Sequence, residues 1–287
     1  MAAIGTTNGA LAGNNLGRHK VDWDQSVWEK LDRHVCAEME RSRLSTRFLP
    51  VVSSSLAAST RTVPADAVVT DRDSGVMSVP EGAELPLEER SVTFVLTKQQ
   101  YEAEARIGTA VTLATRAANH LAREMDRAIF QGGAQEGLLG AADRGKQIVE
   151  VPLLDNKVPG RYGERYFGAV AEAYALLESN GHYGPYALVS HFEPFADAHA
   201  PLASTLIMPA DRIRALVTGG FHGTGTLPAK VALMVSTGGN TLDIAIAVDA
   251  VTAFAFEDAN GLLNFRVYER FTLRVKDPTA VVQLRFA

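Results

Sequence analysis

The chain has 287 residues, 46% hydrophobic and 21% charged, with a formal net charge of −5. That is enough apolar material for one or two packed bodies, and the acidic balance argues against a general nucleic-acid binder, which carries a basic excess. No run nears the roughly 18 uninterrupted apolar residues of a membrane span, and the single cysteine, Cys36, cannot form an internal disulfide and fits a reducing cytoplasm.

The first 21 residues, rich in Gly, Asn and Ala, lack the basic start and apolar block of a secretory signal and read as a flexible tail. Trp28, Leu31, Val35 and Met39 then recur at helical spacing over 22–44, with Asp22 or Asp24 placed to cap the helix. From 45 to 95 Ser, Thr, Val and Asp dominate, Pro64, Pro80 and Pro86 punctuate, and short runs such as Ala67 to Thr70 suggest ribbon-like strands. So few large apolar residues make a poor independent core, and the segment reads as an arm lying on a neighbouring subunit.

Ile107, Val111, Ala114, Ala118, Leu121, Met125 and Ile129 alternate steps of four and three. They predict about 24 residues of spine helix, stopped by Gly132-Gly133. A second helix over 166–180 turns Phe167, Val170, Ala171, Tyr174 and Leu177 inward, and a buried strand follows from Tyr186 to Ser190. A short helix begins near Pro209 and carries Ile213, Leu216 and Val217. The last third is strand-rich: Leu242 to Val248 alternates, Val251 to Phe256 forms another strand, and a turn at Asp258 to Gly261 leads onward. In the long strand that follows, Phe265, Val267, Phe271, Leu273 and Val275 face one side and Arg266, Tyr268, Arg270, Thr272 and Arg274 the other. Val281 to Phe286 closes the chain.

The residues that carry chemistry do not assemble into a catalytic pattern. His191 and His199, with Glu193 and Asp197 between them, are the nearest thing to a metal set and read as solvated helix residues. Cys36 and His34 diverge on their helix, so a packed thiol is expected. The glycine runs Gly219 to Gly225 and Ser236 to Asn240 lack the Gly-Lys-Ser/Thr of a phosphate loop and read as turns, and Glu88 and Glu89 fall in the acidic end of the arm. No enzyme is expected.

The segment Asn180 to Val189, centred on Gly184-Pro185-Tyr186, resembles encapsulin shell proteins. So do Val235 to Asn240, Glu269 to Val275 with Pro278 to Val281, the stretch Asp126 to Leu139, and Trp28 in the first helix. The likeness spans residues 22–287 and departs where Ala247-Val248-Asp249 stands for the family's frequent Gly-Gln-Asp, and Thr46-Arg47 for Gly-Arg.

The resemblance implies an α+β chain with the Hong Kong 97 phage-like major capsid fold. Its parts would be a tail (1–21), an N-terminal helix (22–44), an extended loop (45–95), a peripheral domain with the spine helix (96–135), an axial domain (136–249), and return strands of the peripheral domain (250–287). It further implies a homo-oligomer of 60 or more copies, an encapsulin nanocompartment in the cytoplasm, with no nucleic-acid or membrane partner. The shell would enclose a cargo such as a ferritin-like iron-storage protein or a dye-decolourising peroxidase, bound through its C-terminal targeting peptide. Trp28, Leu31, Val35, Met39 and Asp249 would line the cargo-peptide groove, with the helix stripe equally readable as the glue that holds the helix to its own subunit, and Ala203, Ser204 and Thr205 would form a five-fold pore loop. No cofactor and no metal is expected; Gln99, Gln100 and Tyr101 stand where some relatives place a flavin-binding aromatic. The alternative is the major capsid protein of a phage or prophage.

Overall fold

Helix α1 (Gln25–Ser42) forms where the apolar stripe begins, and Trp28, Leu31, Val35 and Met39 are all buried. Asp24 takes the N-cap position, but its side chain makes no capping hydrogen bond. The computed structural model describes residues 16–53, 56–71, 74–153, 162–202 and 207–287. Within them the tail is shorter than expected: Leu16 and Val21 are buried, and Leu16 O accepts the Phe254 N–H at 2.9 Å. Burial of one such apolar side chain contributes about 1.5–3 kcal/mol. Leu31→Ala, which empties a fully buried site, is therefore expected to lower stability by about 2–5 kcal/mol, read as a shift in the urea midpoint.

The chain then runs through β1 (Val51–Val52), β2 (Thr62–Pro64), β3 (Val69–Thr70), β4 (Met77–Ser78) and β5 (Glu84–Pro86). Strands β2 and β5 pair with each other, as do β3 and β4, giving two narrow antiparallel ribbons in succession. The nine-residue β6 (Glu88–Leu96) is different, because it joins the body by pairing along its length with residues 263–271. Glu88 and Glu89 thus belong to the body, and the free arm ends before them, a correction to the 45–95 boundary.

Two short helices, α2 (Lys98–Glu102) and α3 (Glu104–Ile107), precede the spine helix α4 (Thr109–Gln131). Gly108, at φ 75°, separates α3 from α4, leaving Ile107 outside the stripe and exposed. The buried Glu104 carboxylate accepts the Ala110 and Val111 N–H groups at 2.6 and 3.3 Å, satisfying the free donors of the new helix. Ala110, Ala114, Ala117, Ala118 and Ala122 are buried, and these small side chains let α1 pack closely along the spine.

Beyond it come α5 (Leu138–Gly145), β7 (Ile148–Val151), α6 (Gly163–Ser179), β8 (Tyr186–His191), α7 (Phe192–Ala198), α8 (Pro209–Leu216), β9 (Gly220–Thr224) and β10 (Val231–Ser236). The glycine run at 219–225 is not a turn: it supplies β9, parallel to β8. A Cβ at Gly223 would stand 2.8 Å from the Phe195 ring and one at Gly219 2.8 Å from Tyr186 O, so the glycines admit close neighbours.

The two strands expected in 242–256 are one, β11 (Leu242–Glu257), with register shifts against β12 (Leu263–Val275). The sheet order β1-β11-β12-β6 lies over α1 and α4. The last strand, β13 (Val281–Phe286), does not return to it. It lies inside the second sheet, of order β7-β13-β10-β8-β9, pairing with β10 and β7. The assignment of all of 250–287 to the spine-helix body is corrected there, and the reason is that both faces of β13 are wanted in the second sheet. Val282, Leu284 and Phe286 pack with α6 and α8, while Val281 packs with Ile129, Phe130 and Phe271. That second core ties the two sheets together.

Candidate docking face and assembly arm

The expected groove stripe is closed. Trp28 is 2% exposed, Leu31 and Val35 0%, and Met39 1%, all within the core between α1, α4, β11 and β12. The Arg18 guanidinium lies 4.7 Å from the centre of the Trp28 ring. Trp23 stacks between Tyr101 and Phe265 at 5.2 and 5.1 Å, so the Tyr101 ring is engaged by aromatics of its own chain. The stripe fastens the first helix to its own subunit. Asp249 alone of the expected groove set is exposed. The pore-loop residues Ala203, Ser204 and Thr205 lie outside the described residues.

Between α1 and the edge of β11 the polar backbone is satisfied by side chains. Asp32 Oδ1 accepts the Thr252 N–H at 3.3 Å, and Arg18 donates to Thr252 O at 2.7 Å while pairing with Asp32 at 2.7 Å. Cys36 is exposed at this edge instead of packed inside, its sulfur 4.0 Å from Ala250 O. Partial desolvation, then the carboxylates of Asp249, Asp32 and Glu40, push its thiol up to about 11, which keeps it protonated and poorly nucleophilic at neutral pH.

Where α1 ends, the chain enters a buried charged junction. Arg43 pairs with Glu269 of β12, and its Nη1 also stands 3.6 Å from Asp249 Oδ1. Asp126 of α4 accepts the Leu44 and Ser45 N–H groups, both at 2.9 Å. Burial pushes the Glu269 carboxyl up to about 8, against the pull of Arg43, and burial likewise raises Asp126. One signal for Glu269 was present in sequence: it occupies an inward position of the alternation in 265–275, where an acid needs a cationic partner. The partner, 226 residues away, carried none.

On the outer face of β12, Arg266 and Arg270 both bind Glu89, at 2.7 and 2.9 Å. Arg274 binds Asp243 and the arm residue Asp66, at 2.6 and 2.7 Å. Beyond that root, Val68, Val69, Val76, Met77 and Val79 of the arm are 46–72% exposed and belong to no core cluster.

The histidine group is neither solvated nor convergent. His191 caps α7 by accepting the Glu193 N–H, and His199 stacks on Phe221 with centroids 5.6 Å apart. Among the described residues no set of three or more His, Cys, Asp or Glu is arranged for a metal ion, and no helix is long and apolar enough to cross a membrane.

Two sheets sharing a core, a spine helix and a projecting ribbon arm place the molecule among capsid-type shell subunits. A virus-like particle from Pyrococcus furiosus superposes with a TM-score of 0.68 at 18% identity, covering 90% of this chain and 99% of that one. A Mycobacterium phage Bobi chain gives a TM-score of 0.60 at 16% identity, covering 86% and 91%. The chain belongs to the encapsulin family: the family model described as "Encapsulating protein for peroxidase" matches residues 13–272. The type 1 encapsulin shell protein of Myxococcus xanthus is 29% identical over 288 residues, 95% of this chain and 96% of the relative. A diheme-cytochrome–encapsulin shell fusion protein of Kuenenia stuttgartiensis is 26% identical over 278 residues, 92% and 74%. Shell proteins of this family assemble into multi-copy capsid-like particles, and the family match favours the encapsulin over the phage-capsid alternative.

Proposed function

We propose that the chain is a non-catalytic wall subunit that closes with copies of itself, 60 or more, into a hollow icosahedral nanocompartment in the cytoplasm. The observation that carries this reading is the arm, whose exposed apolar residues touch none of the subunit's own cores. Apolar ribbon surface of that kind is buried by a partner or promotes aggregation, and in a shell-forming family the partner is a second copy of the chain. The enclosed cargo is a ferritin-like protein or a dye-decolourising peroxidase held by a C-terminal targeting peptide, and the family's description as an encapsulating protein for peroxidase supports the second of the two. Because the stripe of α1 is occupied by its own subunit, the peptide meets the outer side of that helix, at the β11 edge where Asp249 and Cys36 are exposed.

The test is co-expression of the full chain with a reporter bearing such a peptide, followed by gel filtration and negative-stain microscopy. Uniform hollow particles containing reporter are expected, and Asp249→Arg should keep the particles while lowering reporter per particle severalfold. A stable monomer in dilute buffer would remove the shell reading, and undiminished loading by Asp249→Arg would remove this edge as the dock. Deletion of residues 22–44 cannot serve, because it strips the buried side chains of Trp28, Leu31, Val35, Met39 and Leu44 from the core.

A further inference from the structure

The arm leaves the body at a point built from four charges. Asp243 of β11, 3% exposed at its side chain, receives Arg274 through two parallel bonds, Nε to Oδ1 at 2.6 Å and Nη2 to Oδ2 at 2.7 Å. Lys276 Nζ approaches the same carboxylate at 2.8 Å and donates to Asn240 Oδ1 at 2.6 Å. Held at both of those nitrogens, the guanidinium has its remaining terminus, Nη1, directed at the arm. It lies 2.7 Å from Asp66 Oδ2 and 3.4 Å from Pro64 O. Two acids and two bases balance in charge, and a fork fixed by a buried carboxylate presents its third contact with little freedom left to lose.

Asp66 is where that contact matters. It sits between β2 and β3, where the chain passes from the first ribbon of the arm to the second, and its φ is +51°. A non-glycine residue in the left-handed region turns the chain sharply and is disfavoured unless its side chain is held. Two residues on, Val68 N–H donates to Lys276 O at 3.0 Å, so the same short stretch of the body grips the chain again. On the other side of the bend Ala65 N–H donates to Ala83 O at 2.8 Å, closing the first ribbon. The bend is thereby tied to the first ribbon on one side, at Ala65, and to the body on the other, at Val68.

We propose that Asp66, through Arg274, is a latch that sets the angle at which the outer ribbon of the arm leaves the subunit, and so selects one shell curvature. The inference rests on the proposed assembly of copies through this arm. Asp66 is a positioning residue: 40% exposed at its side chain, it contributes to no core, and its loss leaves the subunit folded. A flexible bend lets arms meet neighbours at several angles, and closed shells of one diameter then give way to mixtures and open fragments.

The experiment compares the full chain with Asp66→Asn, which tolerates the left-handed backbone but lacks the charge, and with Asp66→Gly, which relieves the backbone entirely. Glu84→Ala, elsewhere on the arm, is the control. Expected are unchanged melting temperatures, a severalfold loss of particles of the parental diameter in both Asp66 variants, and no loss in the control. A single parental diameter in both variants overturns the latch. Hydrogen exchange at the Val68 amide gives an answer independent of assembly: at least tenfold faster exchange in Asp66→Asn is expected, and an unchanged rate overturns the latch. Wild-type protein that never forms particles would instead count against the assembly reading, with the amide rates still deciding the latch.

Discussion

Glu269→Ala should lower the stability of the chain by about 3–5 kcal/mol, a fall of roughly 6–20 °C in melting temperature. The reason lies in the asymmetry of the pair. Arg43 is 7% exposed and cannot shed its proton, so removing the carboxyl leaves a buried guanidinium without its nearest acceptor, the next being Asp249 Oδ1 at 3.6 Å. Glu269→Gln keeps an acceptor oxygen for Arg43 and should lose only a fraction of that amount. The same pair of variants reads the titration. An unfolded glutamate releases its proton near pH 4.5, whereas Glu269 in the fold holds its own to about 8. Between those values the unfolded chain binds fewer protons than the folded one, so this group's contribution is fully present below pH 4.5 and lost as pH rises through about 8. The decline is at most about 1.4 kcal/mol per pH unit, and Glu269→Gln should flatten it. Melting curves across this range in both proteins are the check; a parallel decline in the two would assign it to another group.

Replacing Val68, Val69, Val76, Met77 and Val79 together by serine should leave the subunit folded and abolish the shell. All five are roughly half or more exposed in the subunit, so folding loses little. Full burial of each against a neighbour would gain about half of the 1.5–3 kcal/mol of a whole side chain, or about 4–7 kcal/mol per subunit together. At 1.4 kcal/mol per tenfold, that raises the concentration needed for assembly by about three to five powers of ten. Gel filtration at micromolar concentration should show small species with native circular dichroism. Hollow particles at the wild-type yield would show that the arm does not hold the copies together.

The order of elements was legible because it depends on local patterning. Val35 and Met39 announce a helix face by spacing alone, and β12 shows its two faces through alternation, with Phe265 and Arg266 already on opposite sides. Resemblance at Gly184-Pro185-Tyr186 and at Glu269 to Val275 carried the fold and the family.

Partnership was not legible. Periodicity says that Trp28, Leu31, Val35 and Met39 must be covered, but covering by α4 and β12 of the same chain and covering by a foreign peptide ask for the same residues. Likewise β13 carries apolar side chains on both faces, which fits either sheet until the packing of Val281 on one side and Val282 on the other is fixed. The charged junctions lay furthest out of reach: Arg43 meets Glu269, and Asp66 meets Arg274, across more than 200 residues of chain. Sequence by itself determined which surfaces are apolar and in what order they come. Only the folded chain decided which of them cover one another and which remain open to a neighbour, because burial is a property of pairs of surfaces and a pattern along one strand or helix describes a single member of the pair.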